Sequence, residues 1–240
     1  MNLTDRTAIV TGTSSGLGRA IATALTQKGT RVYGLARRQS KLEQLQQKLG
    51  ELFIPVPMDV TDQPAVASWI EETFSGQPLP DILINNAGLA EIAEVDQLTP
   101  EQWHRMIDTN LNAIFYLTRS VVPLMKQNQE ICHILNISSI AGLLGNPELS
   151  GYNASKFAVR GFSEALFKEL RYEGIKVSCL FPGSIATDFF DLSGMGTAHP
   201  NMMMPEDVAS TVLHLLETPD NLLINEVTMR PLNPKPPEDA

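Results

Sequence analysis

Short β-branched or aliphatic runs alternate with longer helix-patterned stretches along almost the whole chain, and this alternation constrains the fold more than any single residue does. The strand-like runs are Thr7–Val10, Arg31–Leu35, Leu52–Pro57, Ile82–Asn85, Ile131–Ile137, Lys176–Phe181 and Leu222–Met229. Helical spacing fills roughly 17–28, 39–49, 62–75, 100–127, 152–173 and 205–217 between them. Strand–helix–strand repetition favours right-handed crossovers, so the pattern predicts an α/β fold: a Rossmann-type, doubly wound parallel sheet of about seven strands with helices on both faces. Pro55 and Pro57 cannot donate to a ladder, so the third strand belongs at a sheet edge. A strand order of 3-2-1-4-5-6 puts it there.

At 240 residues the chain is long enough to bury a large core, and a single domain over 1–230 is expected, followed by a proline-rich, flexible tail over 231–240. The net charge is −9, and Arg37-Arg38 is the main basic cluster, which argues against nucleic acid or an anionic membrane as partner. No apolar run approaches the ~20 residues needed to span a bilayer, and no signal core follows Met1, so a cytoplasmic protein is expected. Cys132 and Cys179 lie in apolar runs, as core cysteines of a reducing compartment do. His104, His133 and His214 are scattered without ligand spacing, so no metal site is expected, and His199, in the segment 188–204, is a minor candidate for substrate contact.

Two local patterns carry chemistry. Thr11-Gly12-Thr13-Ser14-Ser15-Gly16-Leu17-Gly18 follows the first strand and opens the first helix. Glycines there let the backbone turn sharply and let a pyrophosphate approach the helix amides; a glycine-rich turn without a ligand is the alternative. Tyr152 and Lys156 stand four residues apart, one turn along the same helix face, thirteen residues beyond Ser139. A nearby ammonium favours the phenolate, so Lys156 is expected to lower the proton affinity of Tyr152 and make it an acid/base near neutral pH. At the end of the second strand, where an acid would accept from a ribose 2′-hydroxyl, Ala36 is followed by Arg37 and Arg38, whose forked donors suit a 2′-phosphate.

Together these patterns resemble the short-chain dehydrogenase/reductase family, in its compact single-domain branch, over about residues 5–230. The glycine spacing matches that family's Thr-Gly-x-x-x-Gly-x-Gly, and Asn85-Asn86-Ala87-Gly88 its Asn-Asn-Ala-Gly element, which packs on the glycine loop. The resemblance implies a catalytic tetrad of Asn110, Ser139, Tyr152 and Lys156, with Asn110 holding a water near the lysine. Ser138 is a neighbouring alternative to Ser139. It implies cofactor contacts from Gly12, Ser14, Ser15, Gly16, Leu17 and Gly18, from Arg37 and Arg38, and from Asp59 and Val60, although Asp59 equally suits a helix cap. Further contacts are implied for Asn86, Ala87, Gly88, Tyr152, Lys156, Pro182, Gly183, Ile185 and Thr187. NADP(H) is the expected cofactor in preference to NAD(H), through Arg37 above all. The resemblance also implies a homodimer or homotetramer packed through helices 100–127 and 152–173.

Two segments are expected to line a substrate cavity, Ala141–Leu149 and a lid at Asp188–Met204. Leu143, Leu144, Phe189 and Phe190 are the candidate contacts, and the run Met202-Met203-Met204 either joins them or seals the lid on the core. No Lys or Arg occurs from Ser184 to Met204, which points to an uncharged carbonyl compound or its alcohol. The ending Ile224–Pro231 instead resembles broad-range reductases and 3-hydroxy-acid dehydrogenases, so a hydroxy-acid or hydroxy-amino-acid substrate is an alternative. A sugar-nucleotide epimerase or dehydratase fits less well, lacking the larger substrate domain. A non-catalytic NADP(H) sensor is the remaining alternative.

Overall fold

The computed structural model describes residues 1–76, 78–193 and 196–237, apart from the side chains of residues 190–192. Its strands are β1 (Thr7–Thr11), β2 (Arg31–Ala36), β3 (Phe53–Pro57), β4 (Ile82–Asn85), β5 (Cys132–Ile137), β6 (Ile175–Pro182) and β7 (Glu226–Met229). The helices are α1 (Gly16–Gln27), α2 (Gln39–Leu49), α3 (Gln63–Phe74), α4 (Pro100–Ile107), α5 (Ala113–Met125), α6 (Ser150–Leu170), α7 (Asp188–Ser193) and α8 (Pro205–Glu217). The seven strands form one parallel sheet in the order β3-β2-β1-β4-β5-β6-β7.

Alternation along each strand explains the layers. Ala8 and Val10 pack with Ile21 and Leu25 of α1 and Val212 of α8, whereas Ile9 between them packs with Val121 of α5 and Leu166 of α6. A sheet buried on both faces needs apolar residues in both phases, which is why its strands read as unbroken aliphatic runs. Cys132 and Cys179 are buried and unpaired within this core. Pro55 and Pro57 do lie on an edge strand, in register with Gly34 and Ala36 of β2. Among the described residues no helix is long and apolar enough to cross a membrane.

Three departures from expectation go beyond shifts of one to three residues at element ends. The helix expected over 100–127 is interrupted: α4 opens on a Thr99/Gln102 capping box, a π-helical turn occupies Asp108–Asn112, and α5 follows. Such a turn breaks the regular i→i−4 ladder and commonly marks a functional position; here it carries Asn110. The last strand starts at Glu226 rather than Leu222 because side chains take the carbonyls a ladder would need. Lys176 Nζ donates to Pro219 O (2.6 Å) and Leu222 O (2.8 Å), and Ser178 Oγ to Ile224 O (2.6 Å). The lid, expected to be irregular, contains the short helix α7.

Candidate active site

The glycine turn is built for close approach. Gly12 (φ +74°) and Gly16 (φ +50°) use backbone conformations that side chains rarely adopt. A Cβ at Gly18 would stand 2.4 Å from Gly12 O and 2.5 Å from Asn86 Nδ2. Asn86 is fixed there by Nδ2 donating to Thr11 O (2.8 Å), and the Thr11 hydroxyl accepts from the backbone N–H of Asn86 and Ala87. The Asn-Asn-Ala-Gly element therefore packs on the glycine loop as expected. Ser15, at the N-cap of α1, makes no side-chain cap, so the helix amides are left to a ligand and the positive end of the helix faces the cavity. A pyrophosphate fits this cradle. Gly18→Ala should accordingly abolish detectable NADPH binding in a fluorescence titration and lower the melting temperature, since neither backbone carbonyl nor clamped amide has room to move; near-normal binding would show that the turn is not the phosphate site.

Arg37 and Arg38 line the same cavity beside this turn. Arg38 is laid across it, its guanidinium donating to Ser14 Oγ (2.8 Å) and Ser15 Oγ (2.7 Å). Asp59 and Val60 also line the cavity. Asp59 is not the cap of α3; that is Asp62, which accepts from Ala65 N (3.0 Å), while Asp59 accepts from Thr61.

At the other end, Tyr152 and Lys156 project from the first turns of α6, both nearly fully buried. Lys156 Nζ stands 5.7 Å from the centre of the Tyr152 ring and donates to Ile137 O (2.9 Å). Burial pushes the Tyr152 phenol up to about 12, an effect the Ser139 hydroxyl opposes, and pushes the Lys156 ammonium down to about 8. The expected lowering of the phenol by its lysine is thus overturned for the chain alone. Both groups share one poorly solvated place, and desolvation disfavours the charged form of each. Ser138 is distinguished from Ser139 by its partner: Ser138 Oγ donates to Lys156 O (2.9 Å) and ties β5 to α6, leaving Ser139 for the phenol.

Asn110 lies behind this site, fully buried, and is absent from the residues lining the cavity. Its Oδ1 accepts from Leu89 N, and its Nδ2 donates to Leu89 O and to Ser155 Oγ, each at 2.9 Å. The expected water-holding amide is therefore committed to the backbone after β4 and to α6. Gly88 separates it from Lys156: a Cβ there would meet Asn110 Oδ1 at 3.2 Å and Lys156 Nζ at 3.5 Å.

One cavity of about 820 Å³ joins the two ends. It takes in all the expected cofactor contacts from Gly12 to Thr187, as well as Ser139, Tyr152, Lys156 and Phe189. Gly16 and Thr187 meet across it, 3.1 Å from an added Cβ to the threonine methyl. The Phe189 ring lies 6.2 Å from that of Tyr152. Leu143 and Leu144 do not line it: Leu143 packs against the cluster of Ile114, Val159, Cys179 and Phe181, and Leu144 points outward at 44% exposure. The tight turn Ile140–Gly142 causes this by swinging the chain away after Ala141. Of the lid, the Phe190 side chain and residues Gly194 and Met195 lie outside the described part. Met203 pairs with Ile185 in an isolated bridge and packs on the main core, so the methionine run seals the lid there.

Of the expected segment Ala141–Leu149, Ala141, Asn146 and Leu149 do line the cavity; sequence reasoning missed Leu89, Ala90 and, most consequentially, Arg105 and Asp108, which line it from α4 and the π-turn. A signal existed: Arg105 sits about one turn before Asn110. No cation comes from the lid, but Arg105 of α4 lines the cavity, which corrects the expectation of a cation-free substrate end.

A profile of the short chain dehydrogenase family matches residues 6–195. The chain belongs to the short-chain dehydrogenase family. An uncharacterised oxidoreductase of Staphylococcus aureus (strain USA300) is 34% identical to this short-chain dehydrogenase over 234 residues, covering 96% of the chain and 99% of the relative. Among solved structures, the closed form of a serine dehydrogenase complexed with NADP+ superposes with a TM-score of 0.86 at 32% identity, covering 94% of this chain and 95% of that one. A 3-ketoacyl-(acyl-carrier-protein) reductase from Brucella melitensis, complexed with NADH, gives 0.85 at 27% identity, covering 94% and 97%. An alcohol dehydrogenase from Thermococcus sibiricus, complexed with 5-hydroxy-NADP, gives 0.87 at 25%, covering 97% and 99%. This short-chain dehydrogenase is therefore an oxidoreductase, and those three solved relatives each hold a nicotinamide dinucleotide.

Proposed function

We propose that the protein is an NADP(H)-dependent oxidoreductase that interconverts a carbonyl compound and its alcohol, with Tyr152 as the general acid/base. The observation that carries this reading is the continuity of one cavity from the uncapped start of α1 to the Tyr152 phenol, with Ser139 and Lys156 beside it. When bound, the dinucleotide supplies or accepts the hydride. Everything else falls to side chains of this chain. The Ser139 hydroxyl holds the substrate oxygen by a hydrogen bond, and Tyr152 delivers a proton to that oxygen as negative charge grows on it. A phenol whose proton affinity is raised by burial is protonated at neutral pH, the state a donor needs. Lys156 would hold the nicotinamide ribose and help the phenol to lose its proton once substrate is in place. Asn110, through Leu89 and Ser155, keeps the loop after β4 and the start of α6 in register. Turnover of NADPH with a panel of aldehydes and ketones tests the reading; tight NADPH binding without oxidation of any member would favour a sensor instead.

Preference for NADP(H) rests on Arg37 and Arg38, both free of carboxylate partners among the described ion pairs. A guanidinium pair beside the ribose end suits a doubly charged 2′-phosphate. Arg37→Asp should shift the ratio of NADPH to NADH efficiency by at least about tenfold toward NADH, and an unchanged ratio would move the assignment to Arg38 or remove it. Assembly as a dimer or tetramer is supported by Phe115 on α5 and Phe157 on α6, which stand 45% and 44% exposed on the helices expected to pair.

A further inference from the structure

After the turn at Ile140–Gly142 the chain runs outward and comes back to the cavity just before α6 begins. Ala141, Asn146 and Leu149 of this stretch line the cavity, and Ala141 and Leu149 pack in one cluster with Tyr152. The stretch is therefore the part of the wall next to the proton donor. Its own contacts hold it poorly. Leu144 to Glu148 are exposed, and a Cβ added at Gly145 would meet nothing within 4 Å. Glu148 sits at φ +62°, a conformation that side chains rarely adopt, and its carbonyl accepts from Ala93 N (2.9 Å). An exposed loop with one residue at positive φ keeps a single shape only when something outside it fixes that shape.

Asn153, the residue after Tyr152, supplies that fixture. It is 7% exposed and absent from the cavity lining. Its Nδ2 donates to Ala141 O (2.6 Å) and Leu144 O (2.5 Å), and its Oδ1 accepts from Asn146 N (3.1 Å). Two donors and an acceptor on one short stem are what asparagine offers, and no smaller side chain supplies both kinds of contact at once. The proton transfer itself needs no amide here. Among the described residues Lys156 is held by Ile137 O and the Tyr152 phenol by Ser139, and the Asn153 side chain bonds to none of these groups. We infer that Asn153 is a positioning residue that sets which carbonyl compounds the site accepts, by fixing Ala141, Asn146 and Leu149 as a rigid wall beside Tyr152. This rests on the reading proposed above and adds to it the residue that shapes the substrate end.

The test pairs two substitutions with NADPH oxidation over a series of aldehydes and methyl ketones of increasing chain length. Asn153→Ala removes every side-chain bond to the loop. It should raise KM for the compound that wild type prefers by at least about tenfold, flatten the ranking by chain length, and leave kcat and NADPH affinity within a few-fold. Amide hydrogen exchange at Asn146 should quicken by roughly tenfold or more, because its N–H then meets only water. Asn153→Asp keeps the test open should the alanine variant fold poorly. A neutral carboxyl donates to one carbonyl and accepts from the Asn146 N–H, whereas a carboxylate faces both carbonyls with no donor. KM of this variant should lie near wild type at low pH and climb as the carboxyl ionises, a climb absent from wild type. A lowered melting temperature with the ranking unchanged overturns the inference, since an amide that only stabilises the fold would give that result. So does an equal fall in kcat for every compound together with weaker NADPH binding, which would place the effect on Tyr152 and Lys156. Both results leave the oxidoreductase reading standing. Wild type that binds NADPH but oxidises it with no member of the series overturns that reading and this inference with it.

Discussion

Tyr152→Phe should lower kcat by ~10²–10⁴-fold while leaving NADPH affinity and the melting temperature close to wild type. The ring keeps its place: it packs against Ala90, Met106 and Ala141, and phenylalanine preserves that volume. What is lost is the proton itself. The hydride step then develops negative charge on a substrate oxygen that meets only the Ser139 hydroxyl, in a place whose low polarity already pushes the phenol up to about 12. Stopped-flow oxidation of NADPH at saturating carbonyl substrate measures the chemical step alone. A variant within a few-fold of wild type would remove Tyr152 as the donor and leave Ser139 or a water in its place.

Lys156→Met should abolish turnover to at least the same degree and yet stabilise the ligand-free protein at neutral pH. Burial holds the lysine down to about 8 in the fold, against an ordinary value of 10.5. The folded state therefore binds that proton more weakly than the unfolded chain, and burying the ammonium costs stability. That cost is complete below about pH 8 and disappears as the pH rises through 10.5. The gap corresponds to at most ~3 kcal/mol, from which the orphaned Ile137 carbonyl subtracts ~1–2 kcal/mol. A net gain of ~1–2 kcal/mol should raise the melting temperature by roughly 2–8 °C in a chain of this size. Melts without NADPH near neutral pH and again above pH 10 separate the causes, because only a burial cost fades with alkalinity. A variant that melts lower at both pH values would mean that Lys156 supports the fold rather than straining it, so that no stability is traded for activity at this position.

The residues that were legible beforehand are those whose role is fixed by backbone geometry. Gly12 and Gly18 announce themselves because nothing larger fits beneath Asn86, and Pro55 with Pro57 places β3 at the edge because neither can donate. Tyr152 and Lys156 are readable because one helical turn separates them. Less legible were features set by side chains distant in sequence. The late start of β7 depends on Lys176 and Ser178 taking its carbonyls, and no propensity of residues 222–225 records that. Leu143 and Leu144 looked like a cavity wall by composition, but a three-residue turn after Ser139 decides which way they face. The phenol's shift is not legible in the sequence because spacing reveals a neighbouring charge but not how deeply both groups are buried. Arg105 is not legible from the lid sequence, because the cavity is closed from α4 as well.

A crystal structure of the protein with NADP+ is the most direct measurement. The account predicts phosphates at the start of α1, the 2′-phosphate against Arg37 and Arg38, and the Tyr152 oxygen facing the nicotinamide with room for one substrate carbon between them, ~3–3.5 Å from each reacting neighbour. A nicotinamide ring bound outside the Tyr152 end of the cavity, or a phenol turned away from it in the filled site, would contradict the account.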